Sequence, residues 1–275
     1  MTPRHVPVFL AVAVLALVAP LGVAGSSFAD VPPAPVASQA FTVRCPFSHL
    51  GSVDPIVLLG KAGASHMHEF FGNESTNQDS TAGSLQANDT TCAKTSDFTD
   101  ANDRSAYWVP VLYENGSPIQ ATAVYVRYGN PTGSKLTAFP VGFKSVTGRA
   151  SQSVTYGCAL LGQPTINSVD ITSVPTCTAD RHLVATITFP DCWDGVSLDA
   201  PDHSSNLVPA TGTGKRSTCP ADHPVRVPQV SLTLTYPAGK ITSEGATLSS
   251  GGPSTMHADM FEAWINDGLN KRLNG

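Results

Sequence analysis

The chain is poor in charge. Asp, Glu, Lys and Arg make up 13% of its 275 residues, about half the share of an ordinary globular protein, and no run of basic residues occurs. With a formal net charge of −5, it lacks the basic footprint that phosphate backbones demand, so nucleic acid is excluded as an expected ligand. It also lacks a membrane span, because the longest apolar run, residues 8–18, is well short of the ~20 residues that cross a bilayer. No CxxC pair is present, which argues against a thiolate zinc site. No repeat of fixed period is present either, which excludes solenoids and propellers.

What is there begins with an export signal. Arg4 supplies a positive n-region, residues 8–18 an apolar h-region, and Ser27-Phe28-Ala29 a small-residue cleavage site. Residues 1–29 are read as a cleaved signal peptide, 30–40 as a flexible Pro/Ala/Ser-rich arm, and 41–275 as a single globular domain. The mature protein is expected to be secreted, monomeric and free of the membrane. All six cysteines lie in it, and an even number in an exported chain points to three disulfides. Fifteen pairings are open. Pairing of sequence neighbours is expected: Cys45 with Cys92, Cys158 with Cys177, and Cys192 with Cys219.

A composition of 41% hydrophobic residues with 23 glycines and 22 prolines suits loop-rich β structure. Short segments rich in β-branched and aromatic residues, bounded by turn formers, predict strands over 106–113, 121–128, 141–146, 154–158, 183–189 and 230–236. Ser231-Leu232-Thr233-Leu234-Thr235 alternates cleanly, as a half-buried strand does. Long irregular stretches, 73–104 and 191–228, need disulfides or function to order them. Met260, Phe261, Trp264, Ile265 and Leu269 recur at helical spacing and predict a C-terminal helix entered near Ser254 or Thr255. The fold class expected is mainly β: a β-sandwich or jelly-roll-like domain with long disulfide-tied loops and one C-terminal helix.

The candidate chemistry centres on histidine. His66 and His68 stand two residues apart, and on an extended strand that spacing turns both rings to one face, where they can offer a metal two nitrogens. A second patch follows Phe189-Pro190-Asp191-Cys192-Trp193-Asp194-Gly195, with Asp199, Asp202 and His203. Its carboxylates suit acid–base or metal-ligand work, or simple capping of turn amides. A third place is His257-Ala258-Asp259, where the two polar side chains converge only if His257 lies at or before a helix cap. His49, His182 and His223 read as structural. A site drawn from His66, His68, His203 and His257 fits a divalent transition metal such as zinc or copper. The run from Gly60 to His66-Met67-His68 also opens like a cupin metal motif, but Glu74 comes late and no second half-motif follows.

A longer set of blocks runs through Val53-Asp54-Pro55-Ile56-Val57, Ser65-His66-Met67-His68, Phe71-Gly72 and Ser105-Ala106-Tyr107-Trp108-Val109-Pro110. It continues through Phe189 to Gly195, Asp202-His203, His223-Pro224, His257-Ala258-Asp259-Met260 and Trp264. In these the chain resembles the secreted family of fungi and actinobacteria catalogued as domain of unknown function number nineteen ninety-six. It departs from the usual pattern where Leu58-Leu59-Gly60 replaces a Pro-Gly turn and where Met260 replaces a common Phe. The resemblance implies no established activity. Carbohydrate-binding WSC modules attached to fungal relatives imply work on or near cell-wall polysaccharide. Two readings follow. One is an extracellular metal- or His/Asp-dependent hydrolase or lyase acting on polysaccharide, with His66, His68, His203 and His257 as ligands or proton carriers and Asp194, Asp202 or Asp259 as base. Tyr107, Trp108 and Trp193 would then stack on sugar rings. The other is a non-catalytic, wall-associated protein that binds glycan or metal.

Overall fold

In a computed structural model, Met1 and residues 37–148, 153–160 and 173–275 are described; the segments read as signal peptide and arm fall mostly outside the described residues. Fifteen strands follow in order: β1 Phe41–Gly51, β2 His68–Gly72, β3 Ala106–Pro110, β4 Leu112–Glu114, β5 Ser117–Ile119, β6 Ala123–Gly129, β7 Lys144–Gly148, β8 Val154–Ala159, β9 His182–Thr188, β10 Cys192–Trp193, β11 Leu207–Val208, β12 Val225–Arg226, β13 Gln229–Thr235, β14 Ala246–Leu248 and β15 His257–Phe261. Two short helices join them, α1 (Ala82–Gln86) and α2 (Gly268–Asn274). Among the described residues no helix is long and apolar enough to cross a membrane.

The main sheet has nine strands in the order β7-β15-β3-β2-β1-β6-β13-β9-β8, with antiparallel neighbours throughout. Strand β1 is its corner. Phe41 to Pro46 pair with β6, whereas Phe47 to Gly51 pair with β2, and the register breaks between Phe47 and His49. Such an irregularity bends a strand and raises its twist. The sheet thereby folds over itself into a β-sandwich-like form. Its two flanks meet across a core that includes Phe71, Tyr107 and Met260 from one side and Val126, Tyr128, Leu232 and Leu234 from the other. The alternation in β13 carries through as read: Val230, Leu232 and Leu234 are buried, while the intervening Ser231, Thr233 and Thr235 are half-buried. Each fully buried leucine contributes on the order of 2 kcal/mol.

Strands β2, β3 and β15 are buried on both faces. Their inner residues join the main core, while Phe70, Ala106, Trp108 and Phe261 build a second apolar cluster with Ile56, Leu85, Val146 and Ala263. Helix α1 brings Leu85 to this cluster, and Thr81 starts it with a reciprocal cap to Ser84.

The disulfides are Cys45–Cys92, Cys158–Cys177 and Cys192–Cys219, the sequential pairing. The first and third tie the stretches 73–104 and 191–228 to strands β1 and β10.

The C-terminus corrects the helical reading. Residues 257–261 form β15, and the helix is only the short α2 beyond it. The apolar spacing from Met260 to Leu269 reflects burial of β15 between β3 and β7, followed by separate docking of Trp264, Leu269 and Leu273 in the core. Pairing on both edges of a central strand overrides helical periodicity.

Candidate functional site

Extended backbone at both ends of the site sets its geometry. His68 opens β2 and His66 precedes it, so the i, i+2 spacing puts their rings on one side, 4.2 Å apart between centroids. On β15 the same period puts His257 and Asp259 on one face, which resolves the condition that a helix would have imposed. Strand β3 lies between β2 and β15, with His68 opposite Pro110 and Asp259 opposite Trp108. Register therefore brings His68 and His257 level across β3, and His66 stands beside them, two residues ahead of His68. The His257 ring stands edge to face with His66 at 5.1 Å and with His68 at 5.7 Å.

One ligand atom from each of His66, His68 and His257 lies within 4.8 Å of the others. His68 and His257 are 0% and 1% exposed, Asp259 is 0% exposed, and His66 is half-buried. The tautomers follow from backbone contacts. His68 Nδ1 meets the Val53 carbonyl at 3.0 Å and His257 Nδ1 meets the Thr255 carbonyl at 2.9 Å. A carbonyl only accepts, so each Nδ1 carries the hydrogen and each Nε2 keeps its lone pair, the arrangement that orients metal-binding histidines. Asp259 Oδ2 lies 3.8 Å from His257 Nε2. Three imidazoles with an adjacent carboxylate are a donor set of the type that could hold a first-row transition ion such as zinc or copper.

The rest of the predicted site does not join them. His203 pairs through Nδ1 with Asp199 at 2.9 Å, and its carbonyl accepts from the Val146 amide at 2.7 Å, so its segment closes the outer edge of β7. Among the described residues the set of mutually close imidazoles is therefore His66, His68 and His257, without His203. Asp194 accepts from the Val196 and Ser197 amides at 2.8 Å each, and Asp202 from the Ser204 and Ser205 amides at 3.1 and 2.9 Å. Burial would raise the Asp194 carboxyl, and the amide bonds more than offset it, leaving it below the ordinary value. The Ser205 and Ser204 amides hold Asp202 down at about 2. Both carboxylates are turn caps rather than bases.

The three aromatic residues assigned to sugar stacking are also corrected. Tyr107 and Trp108 are 0% exposed and Trp193 is 9% exposed, packed edge-on against Phe143. None offers a ring face to a sugar, because β3 is central and β10 is held down by the Cys192 disulfide.

Sequence reasoning missed the Val53 and Thr255 carbonyls, which carry no side-chain signal, and it missed three buried carboxyls on the core side. Glu69 accepts from the Ala121 amide and the Tyr236 hydroxyl, and burial pushes it up to about 8. Its neighbour His68 marks the opposite face by alternation, which was the one available clue. Asp103 and Glu262 are the others. A second group with metal-ligand spacing, Cys45, Cys92 and Asp103, is not a metal site, since its sulfurs are bonded to each other.

The sequence blocks from Asp54 to Trp264 fall inside a single stretch. The family model described as a domain of unknown function, DUF1996, matches residues 54–264. The chain belongs to the DUF1996 family. The match spans both His66-Met67-His68 and His257-Ala258-Asp259. No curated protein and no solved structure matches the chain.

Proposed function

We propose that this DUF1996 protein is exported and binds a transition metal, zinc or copper, through His66, His68 and His257. The observation that carries the reading is the convergence of three imidazoles, His66 just before β2, His68 on β2 and His257 on β15, with two of them fixed at Nδ1 by backbone carbonyls. Three disulfides suit an oxidising extracellular compartment. Burial of Tyr107, Trp108 and Trp193 favours metal binding over glycan capture by stacking.

Metal analysis of the purified mature protein tests it. The wild type should carry or take up one ion per chain and gain thermal stability from added zinc or copper, while His66→Ala and His68→Ala lose both responses. A wild type without stoichiometric metal and without a stability gain ends the proposal.

A second reading, a metal-dependent hydrolase or lyase acting on wall polysaccharide, draws support from Asp259 beside His257. A bound metal would supply Lewis acidity or an activated water. Asp259, whose carboxylate lies 3.8 Å from the ligating Nε2 of His257, would accept a proton there. Asp259→Asn should then keep the metal and lose release of reducing ends or unsaturated products from wall polysaccharides, whereas a wild type inert on all of them removes the reading.

A further inference from the structure

A chain of four side-chain oxygens crosses the core between the two flanks of the sandwich. The Tyr107 hydroxyl on β3 lies 2.9 Å from Asp103 Oδ2 and 2.7 Å from the Tyr128 hydroxyl on β6, which lies 3.0 Å from Glu262 Oε1. Further donors fix the ends. The Ser105 amide donates to Asp103 Oδ1 at 3.1 Å, Ser105 Oγ to Glu262 Oε2 at 3.3 Å, and Trp264 Nε1 to the Tyr128 oxygen at 3.0 Å. Asp103, Tyr107 and Tyr128 are fully buried and Glu262 nearly so.

The hydrogens can be counted. Three oxygen–oxygen contacts stand in series, and the two tyrosines bring two hydrogens. With both carboxyls ionised, one contact would face two lone pairs at hydrogen-bond distance with no hydrogen between them, away from water. One added proton fills all three contacts from either end. On Asp103 it lets Tyr107 donate to Tyr128 and Tyr128 to Glu262; on Glu262 it reverses both donations. In either state the Tyr128 oxygen accepts two bonds, one from Trp264, and donates one.

We infer that Asp103 and Glu262 share a single proton through Tyr107 and Tyr128, and that this proton holds the segment from Glu262 to the C-terminus on the sandwich. The charges around the chain agree. Asp100 adds negative charge beside Asp103, and Arg272 pairs with Asp100 at 3.6 Å while its guanidinium lies over Phe41, which itself stacks on Tyr128. Among the described residues no lysine, arginine or histidine donates to either carboxyl. The nearby Cys45 and Cys92 sulfurs are in a disulfide and do not titrate. Burial, then the Asp103 charge, pushes Glu262 up to about 8, and burial, against the Ser105 and Tyr107 hydrogen bonds, pushes Asp103 up to about 7. A pair of close carboxyls in low dielectric titrates as a unit, keeping one proton past neutrality.

The sign follows. The folded state keeps a proton that an unfolded carboxyl releases near pH ~4, so the contribution is whole below that pH and is lost as pH rises through about 8. Above it the C-terminal segment should lift.

The test is hydrogen exchange of residues 262–275 across pH 6 to 10 on the full mature chain, corrected for the intrinsic base-catalysed rate, in wild type, Asp103→Asn and Glu262→Gln. Either amide supplies the missing hydrogen without charge. In the wild type, opening of this segment should rise roughly tenfold per pH unit from pH 6 to about 8 and level off above it, and either variant should flatten that rise. The carboxylic-acid carbonyl stretch in the infrared spectrum at pH 6.5 should lose one band's worth of intensity in each variant that folds. A flat wild-type profile, an unchanged rise in both variants, or no acid band lost would each overturn the shared proton. Two independent variants keep the test open if one fails to fold.

Discussion

The rings of His66 and His257 stand edge to face, 5.1 Å between centroids, although one precedes the second strand and the other opens the last. Strand β3 must lie between β2 and β15 before they can meet. The third nitrogen is thus a product of folding, and metal affinity should report the native sheet.

His257→Ala leaves the local His66/His68 pair and removes the partner that only the fold provides. With metal at ~100 times its dissociation constant, the wild type should gain about 2.7 kcal/mol, some 5–10 °C in melting temperature for a domain of this size. The variant should gain almost nothing in the same calorimetric scan.

Gly148 faces His257 across the β7–β15 pair with a φ of +111°, and a Cβ there would come within 2.5 Å of the Met256 carbonyl and 2.6 Å of His257 Cα. Gly148→Ala should cost about 1–3 kcal/mol through backbone strain. Because β15 must move to relieve the clash, the variant should also bind metal more weakly in isothermal titration than an equally destabilised variant in β13.

Trp193 packs against Phe143 and donates from Nε1 to the Ser197 carbonyl at 2.9 Å. Trp193→Ala should cost about 3–5 kcal/mol in denaturant unfolding. Binding to insoluble wall polysaccharide, measured by pull-down at a temperature where the variant stays folded, should not change.

Asp202 illustrates the opposite titration sign to Glu262. Held down at about 2 by the Ser205 and Ser204 amides, it contributes stability that is whole above the unfolded value of ~3.9 and lost as pH falls through about 2. The group is exposed, so the effect on global stability should stay under about 1 kcal/mol. A carboxyl NMR titration should find its midpoint near 2, and Asp202→Asn should loosen the 202–205 turn without touching metal binding.

Much of the fold was legible because it depends on local pattern. The alternation from Ser231 to Thr235, the β-branched runs of β6 and β9, and the even cysteine count each have a cause within a few residues of chain. The terminal strand was not legible. His257–Phe261 is buried on both faces, so its alternating His257 and Asp259 do not mark a solvent face, and the apolar tail that follows mimics a helix. The candidate site divides in the same way. His66 and His68 share a face because extended backbone alternates side chains, a property of any strand. The sequence by itself therefore determined this pair and the mainly β character. Only the tertiary structure decided that His257 joins them, that His203 belongs to an edge loop, and that Tyr107, Trp108 and Trp193 are core. These outcomes depend on strand order and on which face each strand buries, and both are set by long-range pairing energies that no short window of sequence contains.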